Sequence, residues 1–468
     1  MKNRGTDLTQ GPILSHLFRL ALPTIGASFM QMTYNLTDML WLGRVGEEAV
    51  AAVGAAGFYV WLGVSLLLVT RVGAEVGVSQ ALGSRQNETA LRFVRHALFW
   101  AVVISALYSL LSFFGAELLI DFFGIASERV NQDGATYLRI VSLGFVFTFT
   151  NPTFSGIYNG MGNSRLPFWY MTSGVLLNLI LDPMLIFGWW FFPELGVAGA
   201  AWATFFAQVL VFLVFVYRFL GVQEMVRLRL SAFRFDPAIS ARIFKLGIPV
   251  AAESALFAFF AMVIARLVAD FGAVAIAVQS VGGQIEAISW MTSTGFATAL
   301  GSFTGQNYGA ANWERIRKGY WYTLAIGSVL GLLVTLAFFL WGRTFFSFFF
   351  SDPQSQELGA MYLYILAVSQ VFMIYEITTR GAFNGIGQTV PPSVTGIVFT
   401  GLRIPLSWAL LALSSWGLLG IWGSISFTSL LKGSVLPFWF WLVLRKQLRA
   451  TAQKTSVYEA NTKGGGNA

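Results

Sequence analysis

The sequence predicts an all-α integral membrane protein with twelve transmembrane helices, arranged as two similar lobes of six helices each. Three observations support this fold class: the composition, a long internal repeat, and the uneven distribution of basic residues among the loops. The 468 residues are 56% hydrophobic and 11% charged, whereas a soluble globular chain carries about 25% charged residues. An ordinary water-exposed surface is therefore excluded, and the longest apolar stretches suffice to cross a hydrocarbon core.

The second half of the chain repeats the first. LFRLALP, which begins at Leu17, returns as IFKLGIP at Ile243, a shift of 226 residues. NGMGNSRLP at Asn159 returns as NGIGQTVPP at Asn384, and GVAG at Gly196 returns as GLLG at Gly417. Repeats of this length are typical of transporters built from two halves and exclude a solenoid, whose units span only tens of residues.

Apolar stretches place the twelve helices, since only helices satisfy their backbone groups within one segment in lipid. In the first half they are predicted at 16–41, 49–75, 94–115, 132–155, 167–190 and 197–219. In the second half they are predicted at 243–266, 275–300, 319–341, 358–380, 392–413 and 417–444. The predicted domains are an N-terminal segment 1–15, an N-lobe 16–219, a linker 220–242, a C-lobe 243–444 and a C-terminal tail 445–468.

Basic residues fix the predicted orientation, because cytoplasmic loops carry an excess of Lys and Arg. They cluster at 85–95, in the linker, at 315–318 and at both termini, whereas the opposite loops offer little beyond Arg44, Arg129 and Arg343. Both termini are therefore predicted to be cytoplasmic, in a cell inner membrane, and the lobes to be parallel repeats. This topology accounts for the net charge of +8, so no nucleic-acid partner is needed. The linker is predicted to be a basic amphipathic segment at the membrane surface.

The sequence lacks the residues and motifs that thiolate sites, histidine-built metal sites and ATP-binding loops require. The chain has no cysteine and two histidines, which excludes thiolate sites and disfavours a histidine-built metal site. No GxxxxGK[ST] loop is present, so ATP is not the visible energy source and no cofactor is expected.

Polar groups inside the predicted first helix share one face. Gln31, Tyr34 and Asp38 are spaced three and four residues apart. An intramembrane charge costs about 2.5–3.5 kcal/mol on insertion scales, so this face should look into the protein. Two interpretations fit the sequence equally well: a functional polar site, or helix–helix hydrogen bonding with Asp38 at the outer, water-exposed end of its span.

The predicted fifth helix carries a second polar group, Asn178 and Asp182 in LNLILDPML. Pro183 follows and frees the carbonyl of Leu179, because proline has no N–H to donate. A carboxylate, an amide and a free carbonyl together resemble an oxygen-ligand site for a small hard cation, and one of two neighbouring carboxylates readily holds a proton. The alternative is a proline-kinked helix end with a capping aspartate.

The two halves differ in these acids, since Ile264 and Ser407 stand where the repeat would place Asp38 and Asp182. A structural requirement would be expected in both copies, so the asymmetry favours a functional role. The second half has its own polar candidates, interpreted mostly as structural or gating groups, with Glu253 as the exception: Glu253, Arg266, Asp270, Gln279, Gln284, Glu286, Glu376, Arg380 and Arg403. Pro23 and Pro249 each remove one helical hydrogen bond and leave either a hinge or a fixed bend.

Together the motifs resemble the multidrug and toxic compound extrusion (MATE) family. LALPTIGASFMQMTYNLTDMLWLG, GVSQALGSRQN, YNGMGNSRLP, NLILDPMLIFG and GVAGAAWAT carry the resemblance, which covers about residues 15 to 445. Asp38 and the Asn178/Asp182 pair are similar to the DinF-like branch and its archaeal relatives. The NorM-like branch places its acids in the seventh and tenth helices, at spacings that Glu253 and Glu376 do not match.

The resemblance implies two six-helix lobes that form a V around a central cavity, in a monomeric protein. It implies export of organic, often cationic and lipophilic, compounds in exchange for inward H⁺ or Na⁺. The coupling site, which would also hold Na⁺, corresponds to Asp38, Asn178, Asp182 and Thr204; the substrate cavity to Gln31, Tyr34 and Tyr137; and the hinge to Pro23.

Two other functions remain alternatives on the sequence. A lipid-linked oligosaccharide flippase of the same MOP superfamily should have a cationic cavity for pyrophosphate, for which Arg266 and Arg403 are candidates. An integral-membrane enzyme should have a catalytic site on a sizeable soluble loop, and no loop is large enough.

Overall fold

The computed structural model describes residues 6–190, 192–220, 234–413 and 415–464. Most of the predicted linker (221–233), and the extreme ends of the predicted terminal segments (1–5 and 465–468), lie outside the described residues. Within them the regular structure is helical, as predicted. The helices are α1 (Ile13–Val45), α2 (Glu47–Gly83), α3 (Asn87–Phe114), α4 (Ala116–Asp121), α5 (Glu128–Leu143), α6 (Phe145–Gly160), α7 (Arg165–Ile186), α8 (Val197–Leu220), α9 (Pro237–Ala269), α10 (Ala273–Gly309), α11 (Trp313–Ser347), α12 (Pro353–Ala367), α13 (Gln370–Gly385), α14 (Val390–Leu413) and α15 (Leu418–Gly464).

The prediction of a twelve-span membrane fold is confirmed. Nine of the described helices, and the bent pairs α5–α6 and α12–α13, are long and apolar enough to cross a membrane. The helix α10 is not among them, because it carries polar residues such as Gln279, Gln284 and Glu286. It nevertheless begins and ends 226 residues after α2, so it takes the place of α2 in the second half.

The predictions of single helices at 132–155 and 358–380 were wrong. Each span consists of two helices, which meet at 50° between α5 and α6 and at 52° between α12 and α13. At both breaks a hydroxyl from a neighbouring helix donates a hydrogen bond to a backbone carbonyl. Ser109 donates to the Ser142 carbonyl, and Thr335 donates to the Ala367 carbonyl at 2.8 Å. A side chain that inserts into the helical ladder in this way bends the helix.

Several helices run past their predicted ends. α2 ends at Gly83 rather than 75, and α10 ends at Gly309 rather than 300. α15 continues through most of the predicted tail to Gly464. Apolarity marks only the part of a helix that faces lipid, whereas its hydrogen bonds continue into the polar turns beyond.

The sequence repeat is reproduced in the backbone angles. Gly162 and Gly387 have φ of 77° and 76°, and Gly196 and Gly417 have φ of 54° and 52°. Left-handed conformations of this kind favour glycine because a Cβ would clash with the backbone. The halves therefore turn at equivalent positions, and the repeated NG segments end α6 and α13 as expected.

The described chain divides into two compact units. The first holds the residues up to Asp7 together with Phe18–Ala255, and the second holds Leu8–Leu17 and the residues from Leu256 onward. Each unit contains close helix contacts made by glycine, of which one pair occupies equivalent positions in the repeat. A Cβ on Gly156 of α6 would lie 2.6 Å from the Arg71 carbonyl oxygen, and a Cβ on Gly381 of α13 would lie 2.1 Å from the Ala297 carbonyl oxygen. The motifs GIYNG and GAFNG thus bring α6 against α2 and α13 against α10.

An N-cap outside the membrane spans gives a small, pH-dependent prediction. Asp352 accepts hydrogen bonds from the backbone N–H and the hydroxyl of Ser355, both at 2.9 Å, at the start of α12. These bonds lower the pKa of the Asp352 carboxyl from its usual value of 3.8. A lowered pKa in the folded state means that the stabilisation is present above the unfolded pKa and is lost as pH falls through the folded value.

We therefore expect Asp352→Ala to lower the Tm at pH 7 by no more than about 2 °C. The difference from wild type should shrink below about pH 4. Asp352→Asn keeps an oxygen acceptor without a titrating group, so it should retain most of the Tm without that pH dependence. A pH-independent loss in Asp352→Ala would show that the cap does not act through the carboxylate.

Candidate cation-binding site

The polar face of α1 contributes three side chains in different environments. The Tyr34 hydroxyl is hydrogen-bonded to the Thr204 hydroxyl of α8 at 3.0 Å. Gln31 is exposed and donates to Asn35 Oδ1 at 3.2 Å. The Oδ1 atom of Asp38 is buried and has no hydrogen-bond partner, which is costly for a carboxylate away from water.

The polar group of α7 is fully buried. Asn178 and Asp182 are both 0% exposed, and Asn178 Nδ2 donates to Asp182 Oδ1 at 3.1 Å. Their other oxygens, Asn178 Oδ1 and Asp182 Oδ2, have no hydrogen-bond partner. Pro183 lies inside the helix, so the carbonyl of Leu179 lacks its helical donor.

The fold of the first unit brings these groups together. Asp38 and Asp182 are close enough for their charges to interact, and Tyr34 lies within electrostatic range of both. Tyr137 of α5, which is 7% exposed, interacts electrostatically with the same three residues. None of the ion pairs among the described residues involves Asp38 or Asp182. Two carboxylates thus share a helical bundle without a basic partner.

A small cavity adjoins this cluster. Its volume is about 40 Å³, and Gln31, Tyr34, Asn178 and Thr204 line it, whereas Asp38, Asp182 and Tyr137 do not. A buried water needs roughly 10–15 Å³ of such space, so the cavity has room for a few waters or a partly hydrated cation. Drug-sized ligands occupy pockets of about 300–1,000 Å³, which is far more than this cavity offers.

Sequence reasoning missed three polar residues of the same region. Gln208 lines the cavity, and its backbone and side-chain oxygens accept hydrogen bonds from Asn151 Nδ2 of α6, both at 3.0 Å. Thr172 also lines the cavity, and its hydroxyl oxygen is buried without a partner. Gln208 was detectable, because it follows Thr204 by four residues on the same helix face.

The donor set suits a monovalent cation. Three buried oxygens without hydrogen bonds and one freed carbonyl are hard ligands of the type that Na⁺ takes, and the carboxylates also accept protons. No group of three or more His, Cys, Asp or Glu positioned for a metal ion occurs among the residues that the structure describes. The oxygens of Asp38, Asn178 and Asp182 thus offer ligands for H⁺ or Na⁺.

The predicted hinge residue lies inside α1. Pro23 interrupts the helical ladder in the continuous helix Ile13–Val45, which leaves the carbonyl of Arg19 without its helical donor. One residue on, the Thr24 hydroxyl donates to the Leu20 carbonyl at 2.9 Å. The region between Arg19 and Thr24 is therefore held by fewer backbone bonds than the rest of α1.

Twelve spans in two repeated halves, with an uncompensated acidic cluster inside one of them, define a membrane transporter. The MatE family model matches residues 23–184 and again residues 249–409. The two matches cover more than half of the chain and begin 226 residues apart, one in each half. The chain belongs to the MatE family, whose members are transporters and not enzymes.

Curated relatives and solved structures match this chain over nearly its whole length. The chain is 28% identical over 457 residues to the probable multidrug resistance protein NorM of Thermotoga maritima. This match covers 96% of each of the two chains. Crystal structures of MATE in the bent and in the straight conformation both match with a TM-score of 0.88. The bent structure is 24% identical, and the match covers 95% of this chain and 98% of that one. The straight structure is 23% identical, and the match covers 96% of this chain and 99% of that one.

Proposed function

We propose that the protein is a secondary active multidrug antiporter, which exports organic, often cationic and lipophilic, compounds in exchange for inward H⁺ or Na⁺. The observation that carries the proposal is the pair Asp38 and Asp182, each of which has one buried carboxylate oxygen without a hydrogen-bond partner. Each such charge costs about 2.5–3.5 kcal/mol in a membrane on insertion scales. A proton, a Na⁺ ion or a cationic substrate relieves that cost, and competition among them couples their movements.

The proposal gives the residues distinct roles. Asp38, Asn178, Asp182 and Thr204 hold the coupling cation, and Tyr137, with Gln31 and Tyr34 beside the cavity, faces the substrate. When both carboxylates are ionised, the site favours an organic cation; when H⁺ or Na⁺ is bound, that preference is removed. The adjoining cavity of about 40 Å³ is too small for a drug-sized substrate, so transport requires a conformation with a wider cavity.

Location and partners follow from the same reasoning. The basic loops support an orientation with both termini in the cytoplasm, and the membrane proposed is the cell inner membrane. The relative named multidrug resistance protein supports small organic compounds as substrates. The protein would act as a monomer, without ATP, nucleic acid or a bound cofactor.

Efflux from proteoliposomes tests this function. Ethidium, a fluorescent lipophilic cation, would be loaded into vesicles that contain the purified full-length protein. Na⁺ and pH gradients would then be imposed separately, each with an ionophore control that dissipates it. We expect at least one gradient to accelerate ethidium movement and the ionophore to remove the effect. Transport insensitive to both gradients would refute antiport.

The proline in α1 gives a second test. Pro23→Ala restores a backbone N–H, so the ladder can close on the Arg19 carbonyl and the helix stiffens. We expect gradient-driven ethidium efflux to slow about tenfold, equivalent to about 1.4 kcal/mol, with unchanged protein yield. Pro249→Ala makes the same change in α9, outside the proposed site, and should stay within about twofold of wild type. Wild-type efflux in Pro23→Ala would show that the proline is a fixed bend.

A lipid-linked oligosaccharide flippase is less well supported. Arg266, one of its two candidate cations, is exposed and forms an ion pair with Asp270, so it offers no cationic cavity. Arg403 alone remains as a cation for a pyrophosphate.

A further inference from the structure

The second unit carries a charged cluster at positions that the repeat relates to the first site. Arg403, Tyr362 and Glu376 follow Asn178, Tyr137 and Asn151 by 225 residues each. They lie on α14, α12 and α13, which correspond to α7, α5 and α6. The duplicated fold therefore presents side chains from equivalent helices, but with different charges.

Arg403 is the central cation of this cluster and has no carboxylate partner. Its Nε donates to the Thr428 hydroxyl at 3.0 Å, and its Nη2 donates to the Ser429 hydroxyl at 3.2 Å. Among the described residues, no ion pair with a carboxylate involves Arg403, although the charges of Glu286 and Glu376 act on it from farther away. The two neutral hydroxyls orient the guanidinium, and no carboxylate among the described residues forms an ion pair with it.

The nearby acids already have other partners. Glu376, which is 3% exposed, accepts a hydrogen bond from Arg380 and forms an ion pair with Lys432 at 3.5 Å. Glu286 accepts a hydrogen bond from Gln370 Nε2 at 3.1 Å. Three basic and two acidic side chains leave one positive charge in excess, and protonation of either acid would only increase that excess.

We propose that Arg403 binds a carboxylate of an organic anion or zwitterion, in a site held by Thr428 and Ser429 within the second unit. An arginine fork bonds a carboxylate with two donors, and an unpaired intramembrane cation is costly unless a ligand neutralises it. One excess charge matches one carboxylate, whereas a pyrophosphate would bring two or more negative charges. Carboxylate binding at Arg403 adds a substrate class to the proposed function. Transport of such compounds rests on that function, whereas their binding requires no ion gradient.

Two matched probes test the site on the purified full-length protein in detergent: 9-anthracenecarboxylate and neutral 9-anthracenemethanol. Fluorescence titration should show that wild type binds the carboxylate at least about tenfold more tightly than the alcohol. Arg403→Gln should remove that preference and leave alcohol binding unchanged. Arg403→Lys, which keeps the charge and loses the fork, should retain part of it.

Arg266→Gln is the matched control, because it removes an exposed, ion-paired arginine from the same unit; it should bind the carboxylate within about twofold of wild type. If wild type shows no preference for the carboxylate over the alcohol, the proposal is wrong, whether or not the variants fold. Carboxylate binding that survives in Arg403→Gln, or that falls equally in Arg266→Gln, also overturns it. Failure of ethidium antiport would leave these binding results untouched, so the two proposals can fail separately.

Discussion

Asp38→Asn is expected to abolish gradient-driven efflux while the protein still inserts and folds. The amide is nearly the same size as the carboxylate, but it does not accept a proton near neutral pH and carries no negative charge to attract a cation. Asp38 Oδ1 is buried without a hydrogen bond, so the substitution removes an uncompensated charge and breaks no bond made by that atom. We expect the coupled rate to fall at least about 100-fold, equivalent to about 2.7 kcal/mol.

The matched control for that variant is Asp133→Asn in the same unit. Asp133 lies on α5, where its side chain is 39% exposed and 3.9 Å from Arg129, and surface pairs of this kind contribute little. Its efflux and its drug resistance in cells should be those of wild type. Full resistance in cells that express Asp38→Asn at wild-type levels would remove the carboxylate mechanism.

Gly381→Ala is expected to have the largest effect on stability. Its Cβ would lie 2.1 Å from the Ala297 carbonyl oxygen and 2.9 Å from Ala297 Cα, so α13 and α10 would have to separate. Overpacking of this kind costs about 1–3 kcal/mol or more, a large share of the usual 5–15 kcal/mol of stability. A fall in Tm of about 5 °C or more, with loss of monodisperse protein in gel filtration, is expected.

Gly283→Ala provides the comparison in α10, because no atom lies within 4 Å of the Cβ that it would add. Alanine is the better helix former by about 1 kcal/mol, so this variant should be as stable as wild type or slightly more stable. Equal stability of the two alanine variants would mean that α10 and α13 do not pack as described.

The sequence alone was sufficient for the fold class and for the pairing of Asn178 with Asp182 on one helix face. The repeat from Leu17 to Ile243 predicted two equivalent halves, and paired backbone angles such as those of Gly162 and Gly387 confirm that prediction. The i,i+4 spacing of Asn178 and Asp182 predicted their shared helix face. Both inferences rest on periodicity, which survives whatever surrounds the helix.

Other features depended on contacts that no single segment encodes. The bends at Gly144 and Ser369 involve hydroxyls of Ser109 and Thr335, which belong to other helices. The link between Tyr34 and Thr204 joins residues 170 positions apart; Thr204 was predicted only through family resemblance. The sequence marks Arg403 as one of several polar candidates in the second half, whereas its lack of an ion pair with a carboxylate depends on neighbours from other helices.

Equilibrium binding of ethidium to the purified protein tests the central claim most directly. The affinity would be measured across pH and across NaCl concentrations, with choline chloride to hold the ionic strength constant. If Asp38 and Asp182 form one site for which organic and inorganic cations compete, H⁺ or Na⁺ will weaken ethidium binding to wild type. The double variant Asp38→Asn/Asp182→Asn will bind ethidium weakly and respond to neither cation. Ethidium affinity that ignores both cations in wild type, or a response that persists in the double variant, would contradict the account.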